Sequence, residues 1–187
     1  MNSYAVCFRI SGTAPDASVA LQALGARKAE ASATWWLTTQ DPDDAALAAL
    51  LAPRHPGLLA AVGAAHGVDD TSARFARDLA TGALIALEKS QVRYAVAVGG
   101  ESPEAAADAE SALRLVARII GDRSEAEWRV VDLLTPGVRG QYKTVASALG
   151  ITTQAVSKAL SRTGWHEELL GRTLAARLLR EAAGGAI

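Results

Sequence analysis

A chain of 187 residues, half of them apolar and 21% charged, has globular composition with ample material for a core. The formal charge of −1 excludes a chain that is basic throughout, and Cys7, the sole cysteine, excludes an intrachain disulfide. The first residues lack the charged start and long apolar stretch of a signal peptide, and no apolar run reaches membrane-spanning length, so a cytoplasmic protein without a membrane partner is expected.

Short strand-like segments alternate with helix-like ones over the first two-thirds. Tyr4 to Ile10 reads as a strand that Ser11-Gly12-Thr13 ends, and a helix is expected from about Asp16 to Glu30. Thr34 to Thr39 reads as the second strand, in which the adjacent Trp35 and Trp36 must point to opposite faces. Asp41-Pro42-Asp43-Asp44 then opens a helix with Asp as cap, Pro at the first helical position and acids at the positive helix end. Pro53 and Pro56 stop it. Leu58 to Val62 is the third expected strand and leads into a glycine-bearing loop at 63–67; Asp69 or Asp70 caps a long helix running to about Ser90. Arg93 to Val98 is the fourth strand, followed by Gly99-Gly100 and a helix begun by Ser102-Pro103-Glu104 that reaches Ile120. This alternation predicts an α+β or α/β layer architecture with a small N-terminal sheet and its helices. Strand order stays open between a parallel and a ferredoxin-like antiparallel arrangement.

The pattern changes at Gly121-Asp122-Arg123. Ser124 and Glu127 form an S-x-x-E capping box, and four helices are expected behind it, in the segments SEAEWRVVDLL, GQYKTVASALG, TTQAVSKALSRTG and HEELLGRTLAARLLREA. No strand-rich hairpin follows Arg162, so this all-α part should have no wing. The chain thus divides into residues 1–123, an α/β sensing or assembly domain, and residues 124–187, a helix-turn-helix domain.

The motif that carries function is YKTVASALGITTQAVSKALSR, Tyr142 to Arg162. Ala146 allows two helices to approach closely, and Gly150 supplies the turn where a positive φ is cheap only without a Cβ. Val145, Leu149, Ile151, Val156 and Leu160 are the apolar contacts expected to lock the pair. Thr152 or Thr153 should cap the second helix, placing Gln154 in its first turn. Thr153, Gln154, Ser157 and Lys158 should face outward, where each can hydrogen-bond a base edge or a phosphate.

Charge agrees with this pattern. Residues 1–123 carry 11 basic and 14 acidic side chains, and residues 124–187 carry 8 and 6. Between Asp132 and Glu167 there is no acid, whereas Arg139, Lys143, Lys158 and Arg162 all fall there, a local footprint for a polyanion. The expected DNA contacts are therefore Arg139, Lys143, Thr152, Thr153, Gln154, Ser157, Lys158 and Arg162.

Other constellations are weaker. The loops VGAAHGVDD and VGGESPE lack the P-loop Lys-Ser/Thr and the GxGxxG pattern with its acidic partner, and read as tight turns; Ser102 and its neighbouring amides could still hold an anion. His55, His66 and His166 have no zinc spacing. His66 near Asp69 and Asp70 reads as a solvated histidine beside helix-capping aspartates. No G-x-S-x-G elbow is present. No catalytic residue, cofactor or metal is expected. Trp128 and Trp165 should anchor the core of the C-terminal helices. Leu170, Leu174 and Leu178 form a stripe on the last helix that covers its own domain or pairs with a second copy.

The segment ASALGITTQAVSKAL with the following Gly164-Trp165 resembles the C-terminal end of SatD-family proteins, over roughly 45 residues. The resemblance implies a DNA-binding role for this motif and extends to nothing in the first 120 or so residues. Together these readings predict a sequence-specific DNA-binding protein, a transcriptional regulator rather than an enzyme. Its partners would be double-stranded DNA, a second copy in a homodimer, and a small-molecule or protein effector at the N-terminal domain. Two other classes stay open: a nucleotide-binding protein or enzyme with accessory helices, and a protein-interaction adaptor.

Overall fold

A strand with an unbroken apolar run must be covered on both faces, and the first strand holds one from Tyr4 to Phe8. The computed structural model describes residues 1–11, 15–30, 32–90 and 96–184. In it β1 (Asn2–Ile10) is the central strand of a five-stranded sheet. The other strands are β2 (Arg27–Lys28), β3 (Thr34–Thr39), β4 (Leu58–His66) and β5 (Val96–Gly100), in the order β2-β3-β1-β4-β5. All pairings are antiparallel except β4 with β5, which is parallel. The sheet is therefore mixed, and the fold class is α+β.

Strand alternation sorts the side chains into two cores. Tyr4, Val6 and Phe8 of β1, with Ala60, Val62, Val96 and Val98, face a layer of helices. These are α1 (Pro15–Ala23), α2 (Pro42–Ala49), α4 (Pro103–Gly121) and α8 (Trp165–Ala182). Cys7, Ala61 and Ala97 face the opposite way, onto Ala80, Leu84 and Leu87 of α3 (Asp70–Lys89). Trp35 lies in the first core and Trp36 packs on the second, as adjacent strand residues must. Arg77 of α3 sits 6.0 Å from the Trp36 ring.

Local signals set several boundaries. Asp41 caps α2 by accepting from the Asp43 amide at 2.9 Å, and Asp69 caps α3 by accepting from Ser72 at 2.7 Å. The helix expected to reach Glu30 stops at Ala23, because Gly25 turns the chain at φ +84° and the short strand β2 follows. The third strand continues through residues 63–66, which sequence placed in a loop. Gly63 and Gly99 lie within strands, where they let α3 approach the sheet. A Cβ on Gly63 would overlap the Ala76 carbonyl, and one on Gly99 would stand 2.6 Å from the Leu79 carbonyl oxygen. Of the expected fourth strand, residues 93–95 lie outside the described residues; pairing runs from Val96 to Gly100.

Candidate nucleic-acid interface

After α4 the chain enters α5 (Glu125–Val131), begun by the expected capping box. Ser124 Oγ accepts from the Glu127 amide, and the Glu127 carboxylate accepts from the Ser124 amide at 2.9 Å. That backbone hydrogen bond, followed by the Ser124 hydroxyl, holds the Glu127 pKa below its usual value. The helix ends at Val131, short of the expected Leu134, although Leu134 still packs on the helical core. Gln141 closes the next loop: its Oε1 accepts from the Thr135 amide at 2.7 Å, and its Nε2 donates to the Thr135 and Val138 carbonyls.

Two helices follow, α6 (Tyr142–Leu149) and α7 (Thr153–Thr163). Gly150 ends α6 at φ +66°, and the Ile151 amide donates back to the Ala146 carbonyl at 3.0 Å. Thr152 caps α7, its hydroxyl accepting from the Ala155 amide at 3.1 Å. Val130, Val145, Ala146, Val156 and Leu160 form the buried core of this region, with Leu149 and Trp165 against it. Ile151 departs from expectation: it is 39% exposed and lies at the turn, outside that core.

The back of α7 is fixed by Val156, Leu160 and Thr163, all buried. Its other face carries Gln154, Ser157, Lys158, Ser161 and Arg162, all exposed, at the i, i+3, i+4, i+7, i+8 spacing of one helical stripe. Ser161 escaped the sequence reading, though its spacing from Ser157 and Lys158 was enough to include it. Thr153 is half-buried, and its hydroxyl lies 3.4 Å from Gln154 Oε1. Thr152 is exposed, with its oxygen engaged in the cap. Lys143 is exposed on the first turn of α6, and Arg139 is exposed in the loop before it. Arg139 lines a cavity of about 520 Å³ with Tyr142, Trp165 and His166. In space the basic stretch meets an acid: Glu127 Oε1 lies 3.8 Å from Arg162 Nε, while the Arg162 side chain remains 70% exposed.

The helices on either side of this pair, α5 and α8, reach the sheet-side core. Trp128 of α5, expected in the core of the C-terminal helices, packs instead on the sheet-side core. The guanidinium groups of Arg54, at 4.5 Å, and Arg123, at 4.8 Å, both lie over its ring. Arg54 also forks onto Asp132 at 2.7 and 2.6 Å. The last helix, grouped by sequence with residues 124–187, buries Ala175, Ala176, Leu179 and Ala182 in the sheet-side core. Of its leucine stripe, Leu178 is half-buried against that core, whereas Leu170 and Leu174 are exposed. Among the described residues no strand follows α7.

The remaining candidate residues have structural occupations. Asp69 accepts from the Ser72 amide and hydroxyl, and those bonds hold its pKa below the usual carboxylate value. His66 Nδ1 is 3.2 Å from Asn2 Oδ1, and the His66 amide donates to Glu101. The Ser102 amide, considered for an anion, donates to the Ala182 carbonyl at 3.0 Å. Among the described residues no three His, Cys, Asp or Glu side chains group as metal ligands, and no helix is long and apolar enough to cross a membrane.

No family model matches the chain, so the SatD resemblance rests on its motif alone. No curated protein matches either. Among solved structures the chain is similar to a regulator of polyketide synthase expression from Bifidobacterium adolescentis. The identity is 12%, covering 98% of this chain and 80% of that one, at a TM-score of 0.25. Likeness at that level carries no functional argument.

Proposed function

We propose that this chain is a sequence-specific DNA-binding protein acting in transcription regulation, with α6 and α7 as its helix-turn-helix. The observation that carries the reading is the division of α7. One face is locked by Val156 and Leu160, and the other presents Gln154, Ser157, Lys158, Ser161 and Arg162 without an acid among them. A helix with a rigidly packed back and a polar, basic front fits the major groove, where its N-terminal residues meet base edges. Gln154, in the first turn, is the base-reading residue; its amide offers a donor and an acceptor that match adenine N6 and N7. Lys158 and Arg162, further along, reach phosphates, as do Lys143 and Arg139 from the approach to α6. Ser157 and Thr153 contact base or backbone, and Thr152 serves through its cap. The remainder of the reading is a cytoplasmic homodimer that binds two half-sites, with the sheet layers taking an effector or organising assembly.

The test is titration of a labelled mixed-sequence duplex with the full chain across a salt series. Binding should weaken steeply with salt, and Lys158→Ala and Arg162→Ala should each lower the slope by about one unit. The change should be smaller for Arg162, whose charge Glu127 already offsets in part. No binding by the parent chain, or a slope unchanged in both variants, would overturn the proposal.

A further inference from the structure

The outward face of α8 carries a stripe made of Glu167, Leu170, Leu174 and Arg177, all exposed. They stand at i, i+3, i+7 and i+10 on one side of the helix. The opposite side is fully occupied. Ala175, Ala176, Leu179 and Ala182 are buried in the sheet-side core, and a Cβ on Gly171 would overlap Val116 of α4. Leu170 is nonetheless 74% exposed and Leu174 41%. Beside them a groove of about 340 Å³ runs between α8 and the start of α2, with Asp43, Thr173 and Arg180 in its walls. Two large apolar side chains and an adjoining groove in water form a surface that gains from being covered.

The order of residues in the stripe indicates what covers it. Leu170 and Leu174 lie two residues to either side of Arg172; Glu167 and Arg177 lie five to either side. The stripe is thus symmetric in shape about Arg172 and antisymmetric in charge. A second α8 laid against it antiparallel, with a two-fold axis level with Arg172, meets every requirement at once. Leu170 of each copy packs on Leu174 of the other, and Glu167 of each copy faces Arg177 of the other. A two-fold contact makes each pairing twice. Glu167 and Arg177 are separated by ten residues, about 15 Å of helix, so both ion pairs can form on the flanks of one leucine patch. A parallel arrangement would instead set Glu167 against Glu167 and Arg177 against Arg177.

We propose that this stripe of α8 is the assembly surface of the protein and that its occupant is α8 of a second copy, antiparallel. The inference goes beyond the DNA-binding reading and does not depend on it, because assembly is measured without DNA. It also gives a two-fold relation between two copies of α7, which is what paired half-sites require.

The experiment is sedimentation equilibrium of the full chain over a concentration series without DNA. The parent should sediment at twice its chain mass of 19.4 kDa. Glu167→Arg and Arg177→Glu should each weaken the dimer by about tenfold or more, because each places like charges together at both ends of the contact. The double variant Glu167→Arg/Arg177→Glu should return the affinity towards that of the parent. Both positions are exposed, and circular dichroism checks that each variant folds. A parent that stays monomeric overturns the proposal, as do single reversals without effect. A double variant no better than the singles also overturns it, since the charges would then serve only the dipole of their own helix.

Discussion

Arg123, in the link between α4 and α5, faces Glu168 in the first turn of α8 across 2.8 Å, with side-chain exposures of 1% and 9%. The closest atoms, Nη2 and Oε2, lie outside hydrogen-bond alignment, so the contact is mainly coulombic. Arg123 Nε donates to the Thr163 carbonyl at 2.8 Å, and its guanidinium lies over the Trp128 ring. One buried cation therefore joins α4, α5, the end of α7 and α8.

Removing the anion alone should cost much more than removing both charges. Glu168→Ala leaves Arg123 buried without its counterion and should destabilise the fold by about 3–5 kcal/mol. Replacing the pair by Arg123→Met with Glu168→Leu should cost clearly less, although it also gives up the bond to Thr163. Urea midpoints of the two variants and the parent check the order. A double variant less stable than Glu168→Ala would show that the Arg123 bond to Thr163, not the charge pair, holds this junction.

Two glycines with the same backbone conformation should respond differently to alanine. Gly150 has φ +66° and nothing within 4 Å of where a Cβ would stand, so Gly150→Ala should lose only the left-handed penalty, about 1–2 kcal/mol. Gly164 has φ +61°, but its Cβ would overlap Ile119 of α4. Gly164→Ala should add an overpacking cost of about 1–3 kcal/mol to the same penalty. Thermal melts of both variants decide this. Equal losses would mean that the α7–α8 corner yields freely.

Stability should fall with alkalinity through Cys7. Burial pushes its thiol up to about 12, whereas the unfolded chain titrates near ~8.5. A folded pKa above the unfolded one contributes stability that is whole below the unfolded value and is lost as pH rises towards the folded one. Between those limits the loss should approach about 1.4 kcal/mol per pH unit. Tyr4, also raised by burial, adds to the decline at higher pH. Its share is common to the parent and to Cys7→Ala, so urea unfolding of both between pH 8 and 10 isolates the thiol. Parallel pH profiles would contradict the burial of the Cys7 thiol.

Much of this structure was legible because its signals are local. The Asp41 cap, the Ser124–Glu127 box and the Gly150 turn each bond to backbone within a few residues and act as the sequence predicts, and the structure chooses Asp69 over Asp70 and Thr152 over Thr153 as the caps of α3 and α7. What sequence reasoning misplaced depends on distant partners. Gly63 and Gly99 resemble loop glycines until α3 is seen pressed onto them. The two exposed residues of β2 have no apolar alternation to announce a strand. Trp128 and α8 could be assigned only once Arg54, Arg123 and α4 supplied their surroundings. Along α7 the outward positions were readable because one helical period fixes both faces once Val156 and Leu160 are known to be buried. The nearness of Glu127 to Arg162 was not, because it brings together residues of two helices.

Selection of bound duplexes from a random pool tests most directly whether α7 reads DNA sequence, as proposed. The parent chain should enrich a defined motif. Gln154→Ala should enrich the same motif with one base-pair position relaxed per half-site, at a loss of about 1–3 kcal/mol on the preferred sequence. Its affinity for random duplex should hold, because glutamine neutralises no phosphate. Identical motifs from parent and variant would remove Gln154 from base reading. Failure of the parent to enrich any sequence above the input pool would contradict sequence reading by α7.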